Sequence, residues 1–389
     1  MFNLTFFASL PMMVCAMWTV VLALDYLRLR SAVHLRLCVF LLAATLLYGG
    51  HYVFFLHDVS LIPLTDTVYV CCNLIVYPLY LIYIVQLTDG HADRRQWLLL
   101  LPAAVMGVVI GVLYVLMDKA QTQLFIHHYL YESSVAELSG LALWQAYAHG
   151  FGKVLFLLSV AVSCWLGYRH LHRFVLRILA FYADPEGRTL KPVRITLTLL
   201  LFTSLVSVVF GIIGRHLFDE VPWLSVPSLV FSSLLFAIAY MGHLPIFSCA
   251  DLERDMQPAA EPPAELPLPE VPVEVPRPAE EPELDAEPSK IVLVAEEIRV
   301  LMERDQLFLK NDLRLNDLAQ QLGTNGKYVS MAVNTHFGCS FSEYINNLRI
   351  AYARQLMKDN PKMTIVEVAH KSGYTSMASF YRNLKSRVE

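Results

Sequence analysis

Long apolar runs dominate the first 250 residues of the 389-residue chain. A chain that crosses a bilayer as a helix needs about 20 consecutive apolar residues. Backbone amides in lipid must bond within their own segment, so such runs are predicted to be transmembrane helices. A water-soluble helical core is disfavoured because the runs lack polar faces. Seven runs qualify: Leu4–Leu24, Leu35–Leu56, Thr67–Leu87, Trp97–Met117, Leu143–Tyr168, Ile195–Leu217 and Pro222–Phe247.

The Lys and Arg residues between these runs are unevenly distributed. Three, two and six of them lie in segments 25–36, 88–96 and 169–194. The alternate segments, 57–66, 118–142 and 218–221, carry none, one and none. Basic loops stay in the cytoplasm, so the N-terminus is predicted to lie outside the cell and the C-terminus inside. The expected location is the inner (cytoplasmic) membrane of the cell, crossed several times.

Two ionisable residues lie within the fifth apolar run. Lys153 is far from any loop, and His149 precedes it by about one turn on the same helix face. A cation at membrane depth is costly and marks either a functional site or a buried partner. One reading is structural pairing with a carboxylate such as Asp66 or Glu137, or extension of Lys153 toward the outer surface. The other is an intramembrane site formed by His149 and Lys153.

Several classes of chemistry have no support in the sequence. The seven cysteines include no C-x-x-C pair and lie mostly in apolar runs, where a thiol behaves as a small hydrophobe. The adjacent His127 and His128 are too few to define a metal site. Neither metalloprotease nor serine-hydrolase motifs occur, and Lys153 alone is no catalytic set. No enzyme activity, catalytic residue, cofactor or metal is predicted. Gly107 and Gly111 form a GxxxG pair that fits a helix-packing face.

A proline-rich, acidic segment follows the apolar block. Residues 251–289 hold 12 acidic and two basic side chains, and Pro258–Pro288 contains ten prolines in 31 residues. Proline removes amide donors and the acids repel one another, so no core is expected there. At ~3.1 Å per residue, the segment would extend to at most about 100 Å. The predicted organisation is a membrane domain over 1–249, a disordered linker over 250–289 and a helical domain over 290–389.

The last hundred residues change to amphipathic helices with start and stop signals. Ile291–Arg304 is predicted to be one helix. Asn316 is expected to cap a short helix that ends at Gly323, and a second helix follows over 324–338. A short helix, a glycine turn and a second helix form the helix-turn-helix layout.

The same layout then recurs. Ser340 and Glu343 predict a capping box for a helix that ends near Lys358, before Asn360 and Pro361. Thr364 and Glu367 predict a second box, for a helix that ends at Gly373. The two recognition helices are expected to begin near 325 and 376. The connecting helix of roughly 18 residues is ~27 Å long. Successive major-groove entries lie ~34 Å apart, so the spacing is of the right scale for two DNA-reading helices.

This arrangement resembles the DNA-binding domain of the AraC/XylS family of bacterial transcription regulators over about residues 293–389. The resemblance rests on LRLNDLAQQLGTNGKYVSMAVNTHFGCSFSEYINNLRIAYARQLM and MTIVEVAHKSGYTSMASFYRNLK. It implies base-facing candidates on both recognition helices: Lys327, Ser330, Met331, Met377, Ala378, Tyr381 and Arg382. The family usually continues for about one more helix, whereas this chain ends at Glu389. Whether this weakens binding by the second motif is left open.

The predicted fold class is all-α: a polytopic seven-helix membrane bundle, a disordered linker and a double helix-turn-helix domain. The predicted function is a one-component sensor that binds promoter DNA as a membrane-embedded transcription regulator. The alternative is a membrane receptor or transporter whose helix-turn-helix domain recruits a protein. The expected partners are double-stranded DNA, the lipid bilayer and an unidentified signal or ligand; a homodimer is left open.

Overall fold

The computed structural model describes residues 2–213, 221–257 and 288–385. These residues form helices without a β-strand; one isolated bridge joins Tyr182 and Arg314. The prediction of an all-α chain is confirmed. The chain divides into two compact units, which are described separately. Unit 1 comprises Met1–Phe174 and Leu190–Cys249, and unit 2 comprises Val175–Thr189 and Ala250–Glu389.

Most of unit 1 consists of long apolar helices joined by short connections. The helices are α1 (Phe2–Leu29), α2 (Ala32–Leu56), α3 (Ile62–Asp89), α4 (Arg94–Leu98), α5 (Leu101–Leu116), α6 (Lys119–Leu124), α7 (Gly140–Phe181), α8 (Lys191–Ile213) and α9 (Val221–His243). A π-helical turn, Phe125–Tyr131, follows α6. Helix α7 contributes residues to both units, because the division falls after Phe174.

Six segments of the described chain are long and apolar enough to cross a membrane: Leu4–Leu29, Ala32–Leu56, Ile62–Asp89, Arg94–Leu116, Gly140–Phe181 and Trp223–His243. They coincide with the predicted spans other than the sixth, Ile195–Leu217. That run is helical up to Ile213 within α8, and its residues 214–217 lie outside the described residues. The helices extend beyond the apolar runs, because amphipathic turns continue the same backbone hydrogen bonding where the side chains become polar.

Helices α1 and α9 run parallel to each other. Near their starts, the Ser228 hydroxyl donates to the carbonyl of Phe7 at 2.6 Å. Near their ends, His243 Nδ1 lies 2.6 Å from the Asp25 carboxylate. Two contacts in the same order along both helices establish their relative direction.

The GxxxG pair of α5 packs inside unit 1. A Cβ atom on Gly107 would lie 3.5 Å from Cys71 Cβ, and one on Gly111 would lie 3.4 Å from Thr67 Cγ2. Both neighbours belong to α3, so the small face of α5 lets the two helix backbones approach closely. This face is used within the chain rather than offered to a second copy.

Unit 2 contains shorter, amphipathic helices: α10 (Cys249–Met256), α11 (Pro288–Arg304), α12 (Leu315–Gln321), α13 (Gly326–His336), α14 (Phe341–Asp359), α15 (Ile365–Lys371) and α16 (Met377–Lys385). Helix α10 occupies the start of the predicted disordered linker, and linker residues 258–287 lie outside the described residues. Helix α11 begins three residues before the predicted Ile291, with Pro288 at its start, where a missing amide donor costs nothing.

Candidate nucleic-acid interface

Helices α12 and α13 form the first helix-turn-helix motif. Between them, Gly323 has φ +59°, the left-handed conformation in which glycine avoids the steric penalty of a Cβ. The Asn325 side chain caps α13 by accepting a 2.9 Å hydrogen bond from the N–H of Lys327. Val329 and Val333 bury the inner face of α13, so its opposite face is left to the solvent.

The predicted cap of α12 is wrong. The helix begins at Leu315, and Asn316 lies inside its first turn. The N–H of Arg314 donates to the Asp317 carboxylate at 2.9 Å, which satisfies a backbone donor at the helix start. The Asn316 amide instead donates to the carbonyl of Met256 at 2.8 Å. Asn316 therefore links α12 to the end of α10.

Helix α14 connects the two motifs and has the predicted ends. Ser340 caps it by accepting a 3.2 Å hydrogen bond from the N–H of Glu343, and the helix ends at Asp359, before Asn360 and Pro361. A straight helix of 19 residues is about 28 Å long. The connection thus keeps the length that the sequence predicts for two linked reading helices.

Helices α15 and α16 form the second motif, and its predicted capping box is present. The Glu367 carboxylate accepts from the N–H of Thr364 at 2.8 Å and from its hydroxyl at 2.8 Å. These hydrogen bonds favour the ionised carboxylate and lower the pKa of Glu367. In return, the Thr364 hydroxyl accepts from the N–H of Glu367. The start of α15 is therefore defined by a reciprocal pair.

A fully buried arginine holds the second motif against the rest of unit 2. Arg349 of α14 donates from Nε to the carbonyl of Phe308 at 2.7 Å and from Nη2 to that of Lys310 at 2.6 Å. Its guanidinium lies 5.5 Å from the centre of the Tyr374 ring. Burial lowers the pKa of Arg349. Beside it, Gly373 has φ +82°, and a Cβ there would lie 2.8 Å from the carbonyl oxygen of Leu309.

The base-facing candidates differ in their exposure. Lys327 is exposed on α13, whereas Ser330 and Met331 are half-buried. On α16, the side chains of Ala378, Tyr381 and Arg382 are exposed, whereas that of Met377 is half-buried. Met377 packs against the core of Ile350, Val368 and Phe380, among others, so it also supports the fold.

The contacts of the side chains at the start of α16 were not predicted from the sequence. The Ser376 hydroxyl caps the helix by accepting a 3.1 Å hydrogen bond from the N–H of Ser379. Two acidic residues of segment 175–189 lie against this end. Asp184 accepts from Ser379, and Glu186 accepts from Ser376 and pairs with Arg382 at 3.6 Å. The available signal was that Asp184 and Glu186 are the only acids in segment 169–194, which carries six Lys and Arg residues.

In unit 1 the two intramembrane candidates lie against the same aromatic ring, that of Tyr129, and differ in burial. His149 is buried, and its Nε2 lies 2.8 Å from the Asp66 carboxylate, which also accepts from the Tyr114 hydroxyl at 2.8 Å. Lys153 has an exposed side chain, and its ammonium lies 5.7 Å from the centre of the Tyr129 ring.

The other carboxylate considered for Lys153, Glu137, lies 3.3 Å from Nε2 of His128. The structure therefore places Asp66 against His149 and Glu137 against His128. Both carboxylates were predicted as candidate partners, but the sequence does not distinguish among the basic groups that each could meet.

Comparison with known protein families found a match at the C-terminus. Residues 318–389 match a family model described as a helix-turn-helix domain, which is of the AraC type. No curated protein and no solved structure matched the chain. The matched residues contain α13, α14, α15 and α16 and most of α12. The C-terminal part of the chain therefore carries a helix-turn-helix domain of the AraC type, the kind found in DNA-binding transcription regulators.

Proposed function

We propose that this chain is a membrane-embedded, sequence-specific transcription regulator that binds promoter DNA with unit 2. One observation carries the proposal: α13 and α16 are the second helices of two helix-turn-helix motifs joined by α14. In such motifs the second helix enters the major groove, and its N-terminal residues meet base edges. Two such helices on one connecting helix fit a bipartite site spanning successive grooves.

The exposed basic side chains are proposed to make the first contacts with DNA. Lys327 lies in the first turn of α13, and Arg382 lies on the exposed side of α16. Arg pairs with guanine O6 and N7 or with phosphate, and Lys mostly neutralises phosphate. Ser330, Ala378 and Tyr381 are proposed to complete the base-facing surfaces. Met331 and Met377 would contribute apolar contacts.

The directions of the helices in unit 1 bear on the number of times that it crosses the membrane. Parallel first and last helices require an odd number of crossings, and six crossings would make α1 and α9 antiparallel. The six apolar segments therefore need one more, and α8 is a helix of 23 residues at the right place in the chain. Seven crossings with the basic loops inside leave the C-terminus in the cytoplasm, where DNA is accessible.

The buried polar cluster of Asp66, Tyr114 and His149 is proposed to be the signal-sensing site. Polar groups inside a membrane are costly, and those that persist commonly serve function. Asp66 lies near the start of α3 and His149 near the start of α7. In the proposed topology both starts face the outside of the cell. The cluster is thus placed to respond to an extracellular signal.

Genome-wide DNA occupancy of the intact protein tests the proposal. The wild type is expected to occupy a limited set of promoters. The Lys327→Ala/Arg382→Ala variant is expected to lose them. Arg299→Ala/Arg304→Ala removes the same charge from α11, a helix that packs against α13 but is not itself a recognition helix, and is expected to retain them. An absence of promoter occupancy, with a specific co-purifying protein, would instead support recruitment of a protein partner.

A further inference from the structure

A short acidic loop lies against α16, the second recognition helix. The loop, Tyr182–Arg188, follows α7 directly and belongs to unit 2. Its two carboxylates are the only acids in segment 169–194, which otherwise carries six Lys and Arg residues. The loop therefore presents negative charge where the surrounding segment is basic.

The loop is attached by its backbone at Ala183. The N–H of Ala183 donates to the carbonyl of Leu313 at 3.1 Å. Its carbonyl accepts from the Ser342 hydroxyl at 3.0 Å and from the Asn346 amide at 2.8 Å. Ser342 and Asn346 lie on α14 and are buried. Since buried polar side chains need partners, these residues form a specific seat for the loop.

From this seat the two carboxylates reach the N-terminal end of α16. Asp184 accepts hydrogen bonds from the hydroxyls of Thr375 and Ser379, both at 3.2 Å. Glu186 accepts from the Ser376 hydroxyl and lies 3.6 Å from the Arg382 guanidinium. All the donors belong to the turn before α16 or to its first two turns.

This end of α16 is the part that a recognition helix directs at DNA. Hydroxyls, a guanidinium and the positive end of a helix dipole attract an anion, and in a DNA complex that anion is a backbone phosphate. The carboxylates of Asp184 and Glu186 occupy the same donors. A phosphate that approached them would also be repelled by both carboxylates.

We infer that the loop Tyr182–Arg188 is an intramolecular inhibitor that competes with DNA for the N-terminal end of α16. The inference rests on the proposed DNA-binding function and adds its regulation. Loop and DNA cannot both use Ser376, Ser379 and Arg382. The form described here is the inhibited state, in which only the α13 motif is free to bind DNA.

The contact is suited to release. Arg382 and Glu186 have side chains that are 46% and 36% exposed, and exposed ion pairs contribute little stability. A cleft of about 290 Å³ lies between the loop, residues 311–313 and the turn before α16. The carboxylates are therefore not sealed in a core, and they can leave α16 without opening one.

The release is expected to come through α7. This helix carries His149 and ends at Phe181, one residue before the loop. A displacement of α7 that follows a change at His149 would pull on Ala183 and its seat. His149, one member of the cluster, and the start of the inhibitory loop are thus joined by one continuous helix, which gives a direct path between them.

Measurement of DNA affinity in the full-length protein tests the inference. Wild type and Asp184→Asn/Glu186→Gln, in lipid nanodiscs, are titrated with a fluorescent mixed-sequence duplex of ~30 base pairs, about three helical turns. The variant keeps the shape of the loop and its backbone seat but removes both charges. We expect it to bind ~10-fold more tightly than wild type.

A matched variant controls for the general effect of charge. Glu296→Gln/Glu303→Gln on α11 changes the net charge by the same amount away from α16, and its affinity is expected to increase much less. Equal affinities of the two variants would overturn the inference. Hydrogen exchange gives a second readout: saturating DNA should accelerate amide exchange at 183–188 in wild type. Unchanged exchange with DNA bound would also overturn it. If none of the proteins binds DNA in a salt-sensitive manner, the proposed function itself fails.

Discussion

The Nε2 atom of His149 lies 2.8 Å from the carboxylate of Asp66, although 83 positions separate the two residues in the chain. Both side chains are buried, with exposed fractions of 8% and 10%. The Tyr114 hydroxyl donates to the same carboxylate. The Asp66 carboxylate near the start of α3 thus contacts one polar side chain from α5 and one from α7.

Removal of this carboxylate is expected to destabilise unit 1. Asp66→Ala leaves the Tyr114 hydroxyl and His149 without their acceptor, and a buried unsatisfied polar group costs about 1–3 kcal/mol. The measurement is the thermal unfolding midpoint of the full-length protein in nanodiscs. Lys153→Leu, at an exposed position of α7, serves as comparison and should shift the midpoint far less. Equal shifts would show that the buried cluster does not stabilise the fold.

Alanine at Gly373 is expected to destabilise the second motif. The residue has φ +82°, and the added Cβ would meet the carbonyl of Leu309 at 2.8 Å, so strain and collision add. Gly338 is a matched control, with φ +66° and nothing within 4 Å of an added Cβ. Gly338→Ala should cost about 1 kcal/mol from the left-handed backbone alone, and Gly373→Ala about twice that or more. Equal losses in thermal unfolding would contradict the packing described around Arg349.

The capping box of α15 predicts a pH dependence. The pKa of Glu367 is lowered because its ionised form accepts hydrogen bonds from Thr364. A lowered pKa stabilises the fold above the ordinary carboxyl pKa, and this contribution disappears as the pH falls through the lowered value. Glu367→Gln should therefore reduce the unfolding midpoint at neutral pH, and its difference from wild type should shrink in acid. A difference that is constant with pH would argue against the ionised cap.

Substitutions on the two reading helices should affect separate halves of the DNA site. Arg382→Ala is expected to cost about 1–3 kcal/mol and to relax specificity at one base pair if it contacts a guanine edge. If Arg382 contacts phosphate alone, Arg382→Ala should weaken binding to all sequences. It should also reduce the slope of log K against log salt by about one. Lys327→Ala should act roughly one helical turn away.

Footprinting of the full-length protein, with the loop variant Asp184→Asn/Glu186→Gln included, provides the measurement for both substitutions. Protection of a single groove by the loop variant would contradict a bipartite site. Binding that does not depend on salt would contradict phosphate contact by either reading helix.

The orientation of unit 1 can be tested by reporter fusions. A reporter placed after Phe247 should report a cytoplasmic location, and one inserted in the 118–142 segment should report an exterior location. The physical basis is the retention of basic loops inside the cell. An insertion in the 57–66 segment controls for the inserted domain itself and should also be exterior. Reversed signals would place the helix-turn-helix domain away from DNA and would contradict the proposed function.

The sequence by itself determined most of the helices and the type of the C-terminal domain. Apolar runs and caps depend on residues within one or two turns, so Ser340 and Thr364 were predicted correctly as helix starts. The predicted cap of α12 was wrong because the neighbouring residues do not decide it alone. Several polar residues compete there, and the outcome depends on the carbonyl of Met256, which accepts from Asn316. A distant partner decided a choice that the neighbouring residues left open.

Only the tertiary structure decided which charged and polar groups meet. Asp66 has basic candidates on several helices, and its pairing with His149 follows from how α3 and α7 pack. Glu186 and Arg382 are 196 positions apart, and no periodicity relates them. Hydrogen bonds and ion pairs are short-ranged, whereas the chain brings such groups together only after its apolar faces have been buried. For that reason the sequence determined the helices, and the packing determined the cluster around Asp66 and the acidic loop on α16.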